Sequence, residues 1–167
     1  MDINFLIKNV TSNEYEEYSD VLNNNKYSTE YDVLNLIKYI GNTEKCLNKI
    51  YGGRNIEHKK RIFSNPDYIV NQFLFYQGES NKKRRVYHII CSFSTAWLSK
   101  SRISMVGKGL CGMYQDFQSI YTVHENTDNI HMHIVFNNYP ICQYRKKLSY
   151  YLNIPKMYEV ARDLIMK

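Results

Sequence analysis

The stretch His124-Glu-Asn-Thr-Asp-Asn-Ile-His-Met-His-Ile-Val-Phe-Asn137 decides how the chain is read. In an extended strand successive side chains point to opposite faces, so His131, His133 and Val135 fall on one side and Ile130, Met132, Ile134 and Phe136 on the other. The apolar side is a core face. The opposite side presents two imidazoles one pleat apart, and a third, His124, ends an apolar run just before polar residues that can turn the chain back. Three of the five histidines are thereby placed to converge as neutral nitrogen ligands for a divalent transition ion, with positions left for water and substrate oxygens. A lone strand histidine is more often structural than a ligand, but an alternating pair with an apolar reverse face favours metal. Three histidines plus water is also a zinc-hydrolase pattern. Against it, the sequence has no His-Glu-x-x-His helix, and its basic balance prefers phosphate to peptide.

That balance is a net charge of +6 over 167 residues, which points toward polyanions although a modest basic excess is also ordinary surface chemistry. With 44% hydrophobic residues the chain suits a single domain over 1–167 that can bury a core without staples. Cys46, Cys91, Cys111 and Cys142 are scattered with no Cys-x-x-Cys pair, and read as free, mostly buried thiols. The opening residues lack a basic start followed by an apolar block, and no apolar run approaches ~20 residues. A cytoplasmic protein with no membrane insertion is expected. The sixteen tyrosines suit an interior or a cleft that needs apolar area with a polar tip, and make picking any one as a nucleophile hazardous.

Outward from the histidine strand, Asn4 to Val10 reads as an edge strand and Thr11 to Lys26 as an acidic, Asn-rich loop with some helix. Ser28 offers an N-cap to a helix from about Thr29 to Ile40, in which Val33, Leu36, Ile37 and Ile40 form a stripe, Tyr39 lies beside it, and Gly41 caps the end. Thr43 to Phe63 reads as a basic mobile loop. Asn65-Pro66 opens a second helix, Val86 to Phe93 is a central strand with a basic entrance, and a glycine-containing helix runs from the Ser-rich turn near Ser99–Ser104 to about Phe117. Ser119 to His124 and Ile130 to Asn137 form an antiparallel pair, and Pro155 opens a last helix. This order suits an α+β fold, helices packed on an antiparallel β-sheet.

Three segments now carry a resemblance. The His124–Asn137 stretch resembles the three-histidine motif of conjugative relaxases, mobilization nucleases of the HUH endonuclease superfamily. Tyr87-His-Ile-Ile-Cys-Ser-Phe93 is similar to their central strand, and Leu36-Ile-Lys-Tyr-Ile-Gly-Asn-Thr-Glu-Lys45 to their nucleophile segment; the three occur in family order between Leu36 and Asn137. The resemblance implies an HUH-type palm that nicks and rejoins one DNA strand at a plasmid or mobile-element transfer origin, leaving a tyrosine on the 5′ phosphate. Residue by residue, it implies Tyr39 as nucleophile and His124, His131 and His133 as ligands of Mg²⁺ or Mn²⁺, with Zn²⁺ less favoured. Its partners would be single-stranded DNA, with or without an adjacent hairpin, and accessory mobilization proteins. The chemistry agrees: a phenol of pKa ~10 is a poor nucleophile at neutral pH and needs a nearby cation or base.

Around this set, Asp128 or Glu125 would orient an imidazole or accept the tyrosine proton, with solvated turn carboxylates as the bland alternative. Asn137 either hydrogen-bonds DNA or a ligand or merely ends the strand. His88 reads as a core histidine or one that backs a ligand. Lys59, Lys60, Arg61, Lys82, Lys83, Arg84, Arg85, Arg145, Lys146 and Lys147 are the DNA-contact candidates, and only their convergence near the histidines separates contact from solubility. Two rivals remain. One is an HUH transposase or replication initiator that uses Tyr158, with Tyr150 and Tyr151 behind it; the other is a non-catalytic single-strand binding module. Relaxases usually continue well past the histidine strand, so a minimal or truncated version is expected here.

Overall fold

The computed structural model describes residues 3–7, 27–78, 84–93, 98–125 and 129–167. The acidic stretch from Thr11, Lys82, Lys83 and Asp128 lie outside them. Among the described residues the order is β1 (Ile3–Ile7), α1 (Glu30–Ile40), β2 (Cys46–Arg54), a 3₁₀ turn (Lys59–Phe63), α2 (Pro66–Phe75), β3 (Val86–Phe93), α3 (Lys100–Gly112), β4 (Phe117–His124), β5 (Ile130–Pro140), a second 3₁₀ turn (Leu148–Tyr150) and α4 (Ile154–Met166). The five strands form one sheet in the order β1-β3-β5-β4-β2, and every pairing is antiparallel. This is the expected α+β fold, and the histidine strand β5 is its middle strand.

Both faces of the sheet are covered. Alternation sends Met132, Ile134 and Phe136 of β5 into a core with Ile89 and Cys91 of β3, Tyr121 and Val123 of β4, and the buried stripes of α3 and α4. On this side Tyr121 lies against Gly52 of β2 and Gly107 of α3, where a Cβ on either glycine would come within 2.5 Å of the ring. Both glycines are explained by close approach rather than by backbone freedom. The opposite face carries Val86, Ile120 and Val135, packed against Val33, Leu36, Ile37 and Ile40 of α1 and Ile69, Val70 and Phe73 of α2. The histidine face, expected to be a metal face alone, is therefore a helix-covered core over part of its length.

Several local expectations are corrected. Helix α1 is capped by Thr29 and not Ser28: the Thr29 hydroxyl accepts from the Asp32 N–H at 3.1 Å and the Asp32 carboxylate from the Thr29 N–H at 3.0 Å, a reciprocal capping box. The segment from Thr43 to Phe63 is not a loop throughout, since it contains β2 and a 3₁₀ turn. Its turn residues Gly52 and Gly53 hid the strand, and a register irregularity between Cys46 and Tyr51, with Lys49 at φ 51°, breaks the alternation a strand would show. Helix α3 stops at Gly112, short of Phe117, which begins β4. Cys46, Cys91 and Cys111 are buried free thiols and Cys142 is half-buried, as expected.

Candidate active site

Register defines the site before any side chain is considered. His124 at the end of β4 stands opposite His131 of β5. Thr122 stands opposite His133, which faces Ile90 across β3, and Cys46 of β2 lies opposite His124. Directly opposed residues share a face, so these side chains line one side of one end of the sheet. The His124 and His133 ring centroids are 4.3 Å apart. His124 and His133 are buried, and His131 is half-buried.

Helix α1 brings the tyrosine to this end. Its final carbonyl, Ile40 O, accepts from Thr122 Oγ1 at 2.6 Å, from His124 Nε2 at 2.9 Å and from the Cys46 thiol at 3.5 Å. The last carbonyls of a helix have no partner within it, and here strand side chains supply them. One residue earlier, the Tyr39 ring makes edge contacts with His124 at 5.6 Å and with His133 at 5.4 Å. Tyr39 remains 40% exposed, so its side chain is open to solvent. Lys45, on the turn after α1, places its ammonium 4.8 Å from the centre of the Tyr39 ring.

The Ile40 bond also fixes the chemistry of His124. A carbonyl oxygen can only accept, so the proton sits on Nε2 and the neutral ring carries its lone pair on Nδ1. Burial, Lys45 and His131 push the His124 pKa below its ordinary value, against an opposing contribution from the Ile40 bond, which favours that neutral form. Nδ1 is buried and has no hydrogen-bond partner among the described residues. A buried imidazole lone pair without a partner, beside two more imidazoles, is the donor chemistry a divalent cation takes. Among the described residues no three His, Cys, Asp or Glu side chains already gather around one point as a formed metal cluster. Among the described residues His124 contacts His133 and stands opposite His131 in register, without a completed ligand set.

The remaining candidates divide. His88 is buried, bonded through Nε2 to His133 Nδ1 at 3.0 Å and through Nδ1 to the Tyr27 hydroxyl at 3.3 Å. Glu125 is exposed just past His124, its N–H bonded to Lys45 O at 2.9 Å. Asn137 does not end the strand, which runs on to Pro140; it is fully buried and bonded to Gln77, Gln118, Phe73 O and Tyr139 N. Arg84 and Arg85 are not surface cations. Arg84 is buried over the Tyr87 ring at 4.8 Å, and Arg85 donates to Ser28 O at 2.9 Å and Gln77 Oε1 at 3.1 Å.

Lys59, Lys60 and Arg61 line a cleft of about 400 Å³ with Tyr51 and His58. Tyr51 is opposite Thr122, which puts this basic cleft on the tyrosine side of the sheet. Arg145, Lys146 and Lys147 sit at the other end. Arg145 is paired with Asp116 at 2.9 Å, Lys146 lies over Tyr150 and Lys147 over Tyr139. From Phe117 to His124 on β4 is about 23 Å at the rise of a strand, so these three do not converge with the histidines. Tyr158 packs against the core of the opposite face, and Tyr150 and Tyr151 belong to the far end, where Tyr151 meets Phe117. Sequence reading missed Thr122, Lys45 and Tyr27. Thr122 had a signal, one pleat before His124 on the same strand face; Lys45 ended the segment quoted for the nucleophile; Tyr27 had none.

At the rim of the antiparallel sheet a tyrosine next to the helix end is thus held against two imidazoles. The family model for the relaxase MobA/VirD2-like nuclease domain matches residues 39–167, and the chain belongs to that family. No curated protein and no solved structure matches the chain. Membership makes this a relaxase nuclease domain, of a family that nicks DNA in mobilization. Among the described residues no helix is long and apolar enough to cross a membrane.

Proposed function

We propose that this chain is a metal-dependent, strand-specific DNA nickase that acts as a single domain at a plasmid or mobile-element transfer origin, with Tyr39 as nucleophile. The observation that carries the reading is the exposed Tyr39 ring lodged against His124 and His133 by the Ile40 carbonyl. The Tyr39 oxygen attacks the scissile phosphorus and the bond to the 3′ oxygen breaks, leaving the 5′ phosphate esterified to tyrosine. The phenolic proton passes to solvent or to one of the carboxylates that follow His124 in sequence, Glu125 or Asp128, and the departing 3′ oxygen is protonated. Because the ester is conserved, reversal rejoins the strand.

His124, His131 and His133 would hold Mg²⁺ or Mn²⁺, which when bound polarises the scissile phosphate and offsets charge on the leaving oxygen. The bare Nδ1 of His124 supports this assignment. Lys45 sets a cation beside the Tyr39 ring, where it would offset negative charge that develops on the attacking oxygen or the phosphate. The Tyr51 and Lys59–Arg61 cleft supports entry of the single strand from that side, through backbone charge and base stacking. The placement of Tyr158 against the other face favours Tyr39 over it.

The test uses single-stranded circular DNA carrying the transfer origin, with Mg²⁺ or Mn²⁺, and scores protein–DNA adduct on a denaturing gel. Tyr39→Phe should abolish adduct and cleavage by about 10⁴-fold or more, while Tyr158→Phe leaves both near wild type. Adduct that survives Tyr39→Phe refutes the nucleophile. Cleavage without any adduct identifies a hydrolase, and affinity with neither marks a binding module.

A further inference from the structure

His88 and Tyr27 form a buried hydrogen-bonded line that ends on a candidate metal ligand. His88 Nδ1 is 3.3 Å from the Tyr27 hydroxyl and His88 Nε2 is 3.0 Å from His133 Nδ1; all three side chains are buried. The His88 and His133 rings are near-parallel, 27° apart. Tyr27 reaches this position from a backbone at φ 55°, a left-handed conformation that a bulky residue adopts only where its surroundings enforce it. Arg85 is the enforcing residue: its N–H bonds Tyr27 O at 2.9 Å and its Nε bonds Ser28 O at 2.9 Å. Residues 27 and 28 are thus clamped to β3 just before the tyrosine helix begins.

A neutral imidazole has one N–H and one lone pair, so the line can be satisfied in two directions. In one, Tyr27 donates to His88 Nδ1 and His88 Nε2–H donates to His133 Nδ1, which leaves the His133 proton on Nε2. In the other, His133 Nδ1–H donates to His88 Nε2, His88 Nδ1–H donates to the Tyr27 oxygen, and His133 Nε2 carries the lone pair. The rings change together, because a proton on the wrong nitrogen of either sets two donors or two lone pairs against each other. His133 can offer Nε2 to a cation in the second direction alone.

We propose that Tyr27 and His88 are positioning residues that couple the His133 tautomer to occupancy of the cation site: loading the site sets the line with Nδ1–H on both His133 and His88 and the Tyr27 oxygen as terminal acceptor. This rests on the histidine reading above but not on which tyrosine attacks. It also gives the buried Tyr27–His88 pair a role that packing does not, since two apolar side chains would fill the same space without specifying a proton.

The test is made on the full chain with Mn²⁺ alone for affinity, by calorimetry, and with Mg²⁺ alone for ring-nitrogen NMR, which tells Nδ1–H from Nε2–H. His88→Leu should weaken Mn²⁺ binding about 10–100-fold, and Tyr27→Phe should weaken it less. His88→Gln should restore it to within about 3-fold of wild type, because its amide oxygen can accept from His133 Nδ1–H. In the Mg²⁺-loaded wild type both rings should be Nδ1–H. The proposal is overturned if loaded His88 carries its proton on Nε2, if His88→Leu binds Mn²⁺ as wild type does, or if the wild type binds no Mn²⁺. Failure of the nickase reading looks different: Mn²⁺ affinity then depends on His88 while no DNA is cut. Normal nicking with affinity indifferent to His88 sinks this inference and leaves the nickase.

Discussion

Two polar clusters interrupt the same face of the same two strands, and they differ in whether their bonds close. At one end Asn137 donates both amide hydrogens, to Phe73 O and Gln118 Oε1, and its oxygen accepts from Gln77 Nε2 and Tyr139 N. Gln77 and Gln118 are bonded in turn to Arg85 and to Asn55 O. About 13 Å away along β5, four residues back, His133 lies on the same face, diagonal to His124 of β4, yet among the described residues His124 Nδ1 is buried with no partner. Val135 and Ile120 form the apolar divide between the two. A fully satisfied network specifies how elements dock; a buried acceptor without a donor has a cost that folding alone does not explain. The first ties β3, β4, β5 and the end of α2 together, and the second leaves an acceptor open among the described residues.

The comparison breaks most sharply on a pair of substitutions. His124→Leu should lower the nicking rate about 10²- to 10³-fold and Mn²⁺ affinity with it, the scale of losing one preorganised electrostatic contact. Its stability cost should be only about 1 kcal/mol, since Ile40 O keeps the Thr122 donor. Asn137→Leu should do the reverse. Three buried partners lose their bonds together, which should destabilise the fold by about 3–4 kcal/mol in urea titration. Nicking per folded molecule should stay near wild type. If Asn137→Leu proves nearly neutral, or His124→Leu unfolds the chain, the division between docking end and working end is wrong.

How much of this was legible in the sequence follows from the same contrast. Alternation along His131–Phe136 gave both faces of β5 correctly, because a strand of period two carries its faces in its order. Tyr39 was legible from its place beside an apolar helical stripe and from the family-like segment around it. The Asn137 network was not, because its members come from Asn55, Gln77, Arg85, Gln118 and Asn137, and no local pattern links positions brought together by strand register. Arg84 and Arg85 misled for the same reason: a run of four basic residues reads as solvated surface, and only the fold shows that its last two turn inward. Strand β2 was hidden by its own glycines, of which Gly52 clears the Tyr121 ring and Gly53 clears the β4 backbone at Ser119 and Ile120, and neither makes a turn.

How closed the working end is can be read from Cys46, which lies in it opposite His124. Burial pushes its thiol up to about 11, with a smaller opposing contribution from Thr122. Since the thiolate is the reactive form, a raised pKa means the thiol stays protonated as pH rises through 9, where an ordinary thiol is half ionised. Only roughly 1% of Cys46 should be thiolate there, so iodoacetamide should label it about 50-fold more slowly than a free thiol, with the rate rising toward pH 11. Labelling at the free-thiol rate at pH 9 would mean that solvent already bathes this end, and the partnerless nitrogen beside it would then simply be hydrated.

The smallest effect should come from Thr122, which stands within the working end yet belongs by its bonding to the docking kind. Its hydroxyl, fully buried, donates to Ile40 O at 2.6 Å and also interacts with the Cys46 thiol. Thr122→Val keeps the shape and removes the donor. Ile40 O retains the His124 Nε2–H bond, so no carbonyl is orphaned and the loss should be about 1 kcal/mol of stability. Because Tyr39 is the neighbouring residue, a looser helix end should lower the single-turnover adduct rate about 5-fold without changing Mn²⁺ affinity, and Thr122→Ser should restore the rate. An affinity loss like that of His124→Leu would move Thr122 into the ligand set. No change at all would show that His124 and the Cys46 thiol suffice to anchor the helix, which would make that imidazole both a strut of the tyrosine helix and one of the three proposed cation ligands.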